Sequence, residues 1–447
     1  MAEVGTEGVE VAVGGWLEGL RRAASVDVRP IPLARSREWV LREGRIVHRT
    51  GRYFAVTGVE LADGSAQPLL EQREIGTLGF LRRVRDGRVE LLVQGKIEPG
   101  NVGLAQVAPT LQATASNLDR VHGGRGQFLE AEFRDPARSE ASCEQSEQGT
   151  RFLGKLNRNT LVTGNPDGTT DADLPAAYRW FDADIVLRTL ACDNAVNTDA
   201  RSVLTSAPWH LLTVRPPFAE RPDQPADPLS SPLARSYATL RPGALDEVRR
   251  VLDRVARAAP AVTEVAVDSL PGWRFDADAV HTLDGAAYAV RHLAVETDAR
   301  ETPAWDQPII DSRGDGHADL DLVVSDGIAL VVLVARSEPG LLHVAELGPT
   351  RVAEPGSRGE TWSSAGSAAG GAAGGAAGTV VARVRQSDEG GRFYRDVTEY
   401  RIVQRPEPDD DPDAVLLTLG EVQELLLAGG TLTNEARSAL SLLLTRL

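Results

Sequence analysis

QPLLEQREIGTLGFLRRVRDGRVELLVQGKIEPGNVGLAQVAPT, residues 67–110, returns as QPIIDSRGDGHADLDLVVSDGIALVVLVARSEPGLLHVAELGPT, residues 307–350. The two stretches align without a gap at an offset of 240, sharing Gln67/Gln307, Pro68/Pro308, Asp86/Asp326, Gly87/Gly327, Glu98/Glu338, Pro99/Pro339, Gly100/Gly340 and Pro109/Pro349. Further on, NTDARSVL from Asn197 comes back as TNEARSAL from Thr433, at an offset of 236. Before them, the helix-like WLEGLRRAA from Trp16 has a counterpart in LDEVRRVLDRVARAA from Leu245. Similarity kept in one order over three separated segments marks a tandem duplication.

Each unit reads as a helix, several short strands and a closing helix. DGRVELLVQGK and DGIALVVLVAR both follow an Asp-Gly turn signal, so both predict hairpins. YRWFDADIVLRTLAC from Tyr178 and AVLLTLGEVQELLLAGG from Ala414 have helical spacing, the latter stopped by Gly429 and Gly430. Strands and helices in this order predict an α+β fold with mixed sheets and flanking helices. The boundaries follow from composition: a first repeat at 1–215, a Pro-rich polar linker at 216–242, and a second repeat at 243–447 carrying a low-complexity Gly/Ala-rich insertion at 363–378.

With 42% hydrophobic and 25% charged residues, the chain has the balance of a soluble globular protein. No run is long enough to span a membrane, and MAEVGTEGVEVAVGG lacks the basic and apolar regions of a signal peptide, so a cytoplasmic location is expected. A net charge of −16 opposes a general nucleic-acid or anionic-membrane surface. Cys143 and Cys192 provide neither a disulfide framework nor metal spacing, and read as buried free thiols. Neither copy offers a GxGxxG dinucleotide turn or a His/Cys/carboxylate cluster at metal spacing, so no cofactor and no metal is expected. Of 48 basic residues only Lys96 and Lys155 are lysine.

Duplicated units share what the fold needs, so positions on which the copies differ are the better candidates for chemistry. Glu98-Pro99-Gly100 occurs in both and reads as a turn after a strand. By contrast Gln94 faces Val334, Asn101 faces Leu341, Gln106 faces Glu346 and Gln112 faces Val352. Neutral amides both donate and accept, as sugar hydroxyls and base edges require; the alternative is that they satisfy loop backbone. Asn117, Arg120 and His122 follow in SNLDRVHGG and extend the candidate binding site. A second block, SEQGTRFLGKLNRNTLV from Ser146, reads as having no counterpart in the second unit; it contains Glu147, Gln148, Lys155, Asn157, Arg158 and Asn159. Lys155 beside Arg158 fits a diphosphate clamp, or a solvated charged loop.

EIGTLGF, QGKIEPGN, PTLQATASNLDRVHGG, SEQG, KLNRN and NTDARSVL together resemble the NDP-hexose 2,3-dehydratases of deoxysugar biosynthesis. The resemblance runs along nearly the whole chain, duplication included. It implies two Nudix-like modules in a homodimer acting on a dTDP-4-keto-6-deoxyglucose, with loss of water across C2 and C3. The product would be a 3,4-diketo-2,6-dideoxyhexose nucleotide, passed to a ketoreductase in an antibiotic-sugar pathway. The REUxEExG run of Nudix hydrolases is absent from both copies, which disfavours pyrophosphate hydrolysis. In the second unit ELGPTRVAEPG breaks the PTxQ-like pattern, so the first unit is the expected active one.

The implied chemistry assigns Lys96 to the enolate oxygen at C4, with Glu147 and His122 as base and acid in either order. Gln94, Asn101, Gln106, Gln112, Asn117, Arg120, Gln148, Lys155, Arg158 and Asn159 would bind the substrate. The rival readings are a Nudix-like hydrolase and a non-catalytic sugar-nucleotide binder.

Overall fold

The computed structural model describes residues 10–114, 127–164, 171–221, 226–285, 287–299, 302–356 and 378–447. Each half builds a seven-stranded mixed sheet. In the first the order is Ser139–Ser146, Leu156–Thr163, Gly76–Arg85, Arg88–Ile97 and Tyr178–Asp182, with Ala105–Ala108 beside Arg88–Ile97 and Leu111–Ala113 beside Gly76–Arg85. In the second it is Thr379–Ser387, Val397–Arg405, Gly316–Ser325, Ile328–Ser337 and Ala345–Gly348, with Ala414–Leu417 on Ile328–Ser337 and Arg351–Ala353 on Gly316–Ser325. The sheets match strand for strand, including one parallel pair each, Leu156–Thr163 with Gly76–Arg85 and Val397–Arg405 with Gly316–Ser325.

The Asp-Gly signals form the hairpins they predict. Asp86 and Gly87 have φ of 49° and 72°, and Asp326 and Gly327 have 50° and 71°. Two positive φ values in a two-residue loop give the turn whose twist suits paired strands.

Two expectations need correction. The segments from Tyr178 and Ala414 are not helical throughout: Tyr178–Asp182 and Ala414–Leu417 are strands, and helices run over Ala183–Thr189 and Leu419–Ala428. Tyr178 and Trp180 pair with Gln94 and Leu92, a sheet environment that suits aromatic residues. Asp182 and Thr418 then cap the helices, Thr418 in a reciprocal capping box with Glu421. The block from Ser146 does have a counterpart. Ser139–Ser146 and Thr379–Ser387 occupy the same edge of their sheets, which sets Glu147 against Asp388, Gln148 against Glu389, Arg151 against Arg392 and Phe152 against Phe393. One extra residue shifts the offset, and the copies diverge at Lys155/Asp396 and Asn157/Thr398, which hid the match.

The halves exchange strands. Val26–Pro30 pairs antiparallel with Ala289–Thr297 of the second half, and Val262–Val265 pairs with Ala55–Leu61 of the first. Each N-terminal strand thus completes the other half's smaller sheet. One continuous core joins Phe80, Leu91 and Val93 to Leu320, Val331 and Leu333. At its centre lie the helices Thr198–Ser206 and Asn434–Leu440, buried along their whole length. Ala200, Ser202, Ala436 and Ser438 let them approach, and Thr205 Oγ1 donates to the Arg437 carbonyl (3.1 Å). Of the stretch 216–242, Ser230–Tyr237 is a helix with Leu233 buried. Cys143 is buried and Cys192 half-buried, and no disulfide forms among the described residues.

The two Glu-Pro-Gly turns bring main chain of one half against main chain of the other. Gly100 N donates to Gly390 O (2.9 Å), while Arg395 N donates to Gly100 O (2.8 Å). Reciprocally, Gly340 N donates to Gly149 O (2.7 Å) and Gly154 N to Gly340 O (2.7 Å). A Cβ on Gly100 would stand 1.7 Å from Phe393 O, and one on Gly340 1.7 Å from Phe152 O. Main chain cannot yield as a side chain does. Gly100→Ala and Gly340→Ala should therefore each cost about 2 kcal/mol or more, read as a lower urea midpoint. Gly19→Ala, in open space on a helix, should lose nothing; equal midpoints for all three would refute the seating.

Candidate active site

Two pseudo-equivalent junctions arise where each Glu-Pro-Gly turn meets the other half. At the first, Lys96 is the penultimate residue of the strand Arg88–Ile97 and its Nζ lies 3.0 Å from Glu98 Oε1, both side chains largely shielded at 13% and 2% exposure. Gln94 lies two residues earlier and so shares the face of Lys96. Glu147 follows the edge strand Ser139–Ser146; its carboxylate accepts from Asn157 Nδ2 (2.5 Å) and, from the second half, Asn434 Nδ2 (3.0 Å). Lys155 Nζ donates to Glu74 O (2.7 Å). The second half adds Glu389 and Arg392, the latter lying 4.2 Å over the Phe54 ring and donating to Gln72 Oε1 (3.2 Å) and Gly391 O (2.8 Å). Asp199 completes the cluster from the first turn of Thr198–Ser206.

Burial dominates the electrostatics of these groups. It pushes Glu147 up to about 7, helped by Glu389 and opposed chiefly by Arg437, then by Lys155 and the Asn157 hydrogen bond. Burial also drives Asp199 well above the carboxylate range, reinforced by Glu147, Glu389 and Glu98 against Lys96. Glu389 rises for the same reason, with Glu98 adding to it and Arg392, Lys96 and Lys155 opposing. Lys155 falls, since desolvation outweighs Glu147 and Glu74. The junction thus offers carboxyl groups able to hold a proton near neutrality beside cations from both halves.

The sequence-selected residues divide. Lys96, Glu147 and Lys155 come together. Asn101 sits in the turn, its Nδ2 donating to Leu104 O (3.0 Å), with no room for a side chain on Gly390 beside it. Gln112 lies one step back, accepting from Asn197 Nδ2 (2.9 Å) and so fixing the start of the helix that carries Asp199. Gln106 is buried between Asn194 O (2.9 Å) and Ser387 Oγ (2.7 Å), a bond between halves mirrored by Ser146 Oγ to Glu346 (2.6 Å). Asn159 turns to Ser202 Oγ (2.7 Å) in the core. Gln148 crosses to the second junction and donates to Asp388 Oδ1 (3.2 Å). The Lys155–Arg158 clamp does not form: Lys155 is buried, whereas Arg158 is exposed and faces Glu144 (3.4 Å). Asn117, Arg120 and His122 lie outside the described residues. Sequence reasoning missed Asp199, Glu389 and Arg392. QSEQGTRF against QSDEGGRF would have exposed the last two, and Asp199 stood in NTDARSVL, used only to establish the repeat.

The second junction keeps the plan without the lysines. Arg336 replaces Lys96 and donates to Pro349 O (3.2 Å) and Thr350 O (2.9 Å), while Glu338 accepts from Gly149 N (2.7 Å). Arg151, the counterpart of Arg392, lies over Tyr288 (4.1 Å) and pairs with Glu354 (2.8 Å). The position equivalent to Glu354 is Thr114, and Arg392 makes no ion pair among the described residues. A narrow cavity remains, lined among others by Gln148, Arg151, Asp388, Asp396 and Glu435. Among the described residues no group of three or more His, Cys, Asp or Glu side chains is arranged to hold a metal ion.

A pH dependence follows from Glu147. Its folded-state value of about 7 lies above the ordinary 4.5, so its contribution to stability is full below 4.5 and is lost as pH rises through 7. Between pH 4.5 and 7 the urea midpoint of Glu147→Gln, compared with that of the unaltered protein, should fall less with rising pH. Parallel pH profiles would refute the shift.

The comparisons agree with this duplicated architecture. A family model described as NDP-hexose 2,3-dehydratase matches residues 10–207 and again 246–443. A dTDP-4-dehydro-6-deoxy-alpha-D-glucopyranose 2,3-dehydratase of Saccharopolyspora spinosa is 32% identical over 95% of this chain and 89% of its own length. Enzymes of the same name from Amycolatopsis orientalis and Streptomyces violaceoruber are 28% and 31% identical, over 98% and 89% of this chain and 91% and 88% of theirs. Matched twice along its length and related to these enzymes almost end to end, the chain belongs to the NDP-hexose 2,3-dehydratase family.

Proposed function

We propose that the chain removes water across C2 and C3 of dTDP-4-keto-6-deoxyglucose, giving a 3,4-diketo-2,6-dideoxyhexose nucleotide, and that it does so at the first junction. The observation that carries this reading is the buried set of Glu147, Asp199 and Glu389 beside Lys96, Lys155 and Arg392, whose lysines are replaced at the second junction.

The hydrogen at C3 lies α to the C4 ketone and is acidic once the enolate is stabilised. Glu147, near 7, suits a base working at neutral pH, a role worth roughly 10²- to 10⁴-fold. Lys96 supplies a compact charge for O4, which the planar fork of an arginine matches less well. Arg392, braced by Phe54 and Gln72 and without a carboxylate of its own, and Lys155 suit the diphosphate. The second half is therefore part of the site. Overall the reaction is redox-neutral, so it consumes no electron carrier. In the same reading, residues 1–215 and 243–447 are Nudix-like modules joined through 216–242. The enzyme works as a cytoplasmic homodimer, and its reactive diketone passes to a ketoreductase.

Incubation of the purified protein with dTDP-4-keto-6-deoxyglucose should release water and yield, with a ketoreductase present, a 2-deoxy sugar nucleotide; an unchanged substrate would overturn the assignment. Lys96→Met should lower kcat about 10²-fold or more, with a smaller effect on nucleotide affinity, and Lys96→Arg should restore only part. Near-normal turnover of folded Lys96→Met would remove the lysine from the reacting centre. Exhaustive dialysis against EDTA should leave turnover unchanged, and restoration of a lost activity by a divalent ion would contradict the metal-free chemistry.

A further inference from the structure

We propose that Asp199 is the acid that protonates the departing C2 hydroxyl. This deepens the dehydratase reading and rests on it. His122, paired with Glu147 as acid or base in the sequence reading, lies outside the described residues. Asp199, in contrast, is placed by three fixed contacts. Asn197 caps the helix through Ala200 N (2.8 Å), gives its own Nδ2 to Gln112 (2.9 Å), and donates its main-chain N to Val107 O (2.9 Å). Val107 belongs to the strand paired with Lys96. The helix is thereby locked to the lysine-bearing hairpin, with Asp199 two residues past its cap.

The duplication shows where that side chain faces. Thr433 caps Asn434–Leu440 in the same way, its main-chain N donating to Leu347 O (3.0 Å), and the residue two past it is Glu435. Glu435 lines the cavity of the second junction together with Asp388, the counterpart of Glu147. Asp199 accordingly faces the corresponding space of the first junction. It is 5% exposed, and its carboxyl forms no hydrogen bond or ion pair among the described residues. A carboxyl this shielded, with no protein partner among the described residues, is open to a hydrogen bond with a substrate hydroxyl. Burial first, then the neighbouring Glu147, Glu389 and Glu98 against Lys96, favours its protonated form.

The steps balance. The C3–H bond breaks, its proton going to the base and its electrons into the enolate at O4. The enolate electrons return to form C2=C3 as the C2–O bond breaks, and the Asp199 proton joins the departing oxygen to make water. The resulting C3 enol then loses its O3 proton and gains one at C2, leaving the C3 ketone. Removal of H3 does not need the acid; expulsion of water does.

The test separates these two steps. In deuterium oxide, Asp199→Asn should lose water at least 10²-fold more slowly, while substrate recovered from the mixture carries deuterium at C3. Glu435→Gln should keep normal turnover. Folded Asp199→Asn that eliminates at a near-normal rate, or that neither eliminates nor exchanges, would overturn the assignment. Should Asp199→Asn fail to fold, the unaltered enzyme still decides: the ratio of C3 exchange to elimination should rise with pH as the acid is lost, and a constant ratio would overturn it. Failure of the underlying reading shows differently, as unaltered enzyme that neither exchanges nor eliminates, and it overturns both.

Discussion

Each Glu-Pro-Gly turn rests by two main-chain hydrogen bonds on the other half, Gly100 on Gly390 and Arg395, Gly340 on Gly149 and Gly154, and the rest of the molecule depends on these seats. Only glycine permits the approach, since any Cβ would run into main-chain oxygen. The seats bring the end of a lysine-bearing strand from one half against an acidic and arginine-bearing segment of the other. Strand exchange and the shared helix pair then join the two halves through one continuous core.

So many buried charges are expensive unless they are paired or neutralised. Buried arginines do part of this work. Arg201 is itself a buried charge held by neutral partners, Gln386 (3.1 Å), Ser441 (2.9 Å) and Leu190 O (2.8 Å), and burial pulls it down to about 10. Arg437 bonds to Ser202, Leu432 O and Ser146 O and acts on Glu147 and Glu346. Protonation of the carboxyls does the rest. At the second junction divergence has gone toward closure: Glu354 holds Arg151, and aliphatic residues replace the amides at Val334, Leu341 and Val352. The first kept its lysines and left Arg392 and Asp199 without such partners among the described residues.

Much of this was legible in the sequence for definite reasons. The hairpins announced themselves because Asp86-Gly87 and Asp326-Gly327 are the residues their turn requires. Lys96 stood out as one of two lysines, set among amides, whereas Glu147 stood out only because its block reads as unpaired, although Asp388 is its counterpart. Gln106 and Asn159 make internal bonds, Gln106 across to Ser387 and Asn159 to Ser202 of its own half, and an amide used this way looks in sequence like one that binds a sugar. Exchange of Val26–Pro30 and Val262–Val265 was invisible, since a strand's pattern records that it pairs and which face it buries, but not whose sheet it joins. Glu389 and Arg392 escaped because they lie far from Lys96 in sequence, in the half that had lost its amides.

The central claim is that one catalytic site is assembled from both halves at the first junction. Parallel measurement of turnover and melting temperature for Arg392→Met and Arg151→Met tests it most directly. Arg392 should cost kcat/KM at least 10²-fold with little change in melting, whereas Arg151, itself buried and the ion-pair partner of the half-buried Glu354, should lower melting and leave turnover of the folded protein intact. Near-normal turnover of Arg392→Met, or inactivity of folded Arg151→Met, would contradict it.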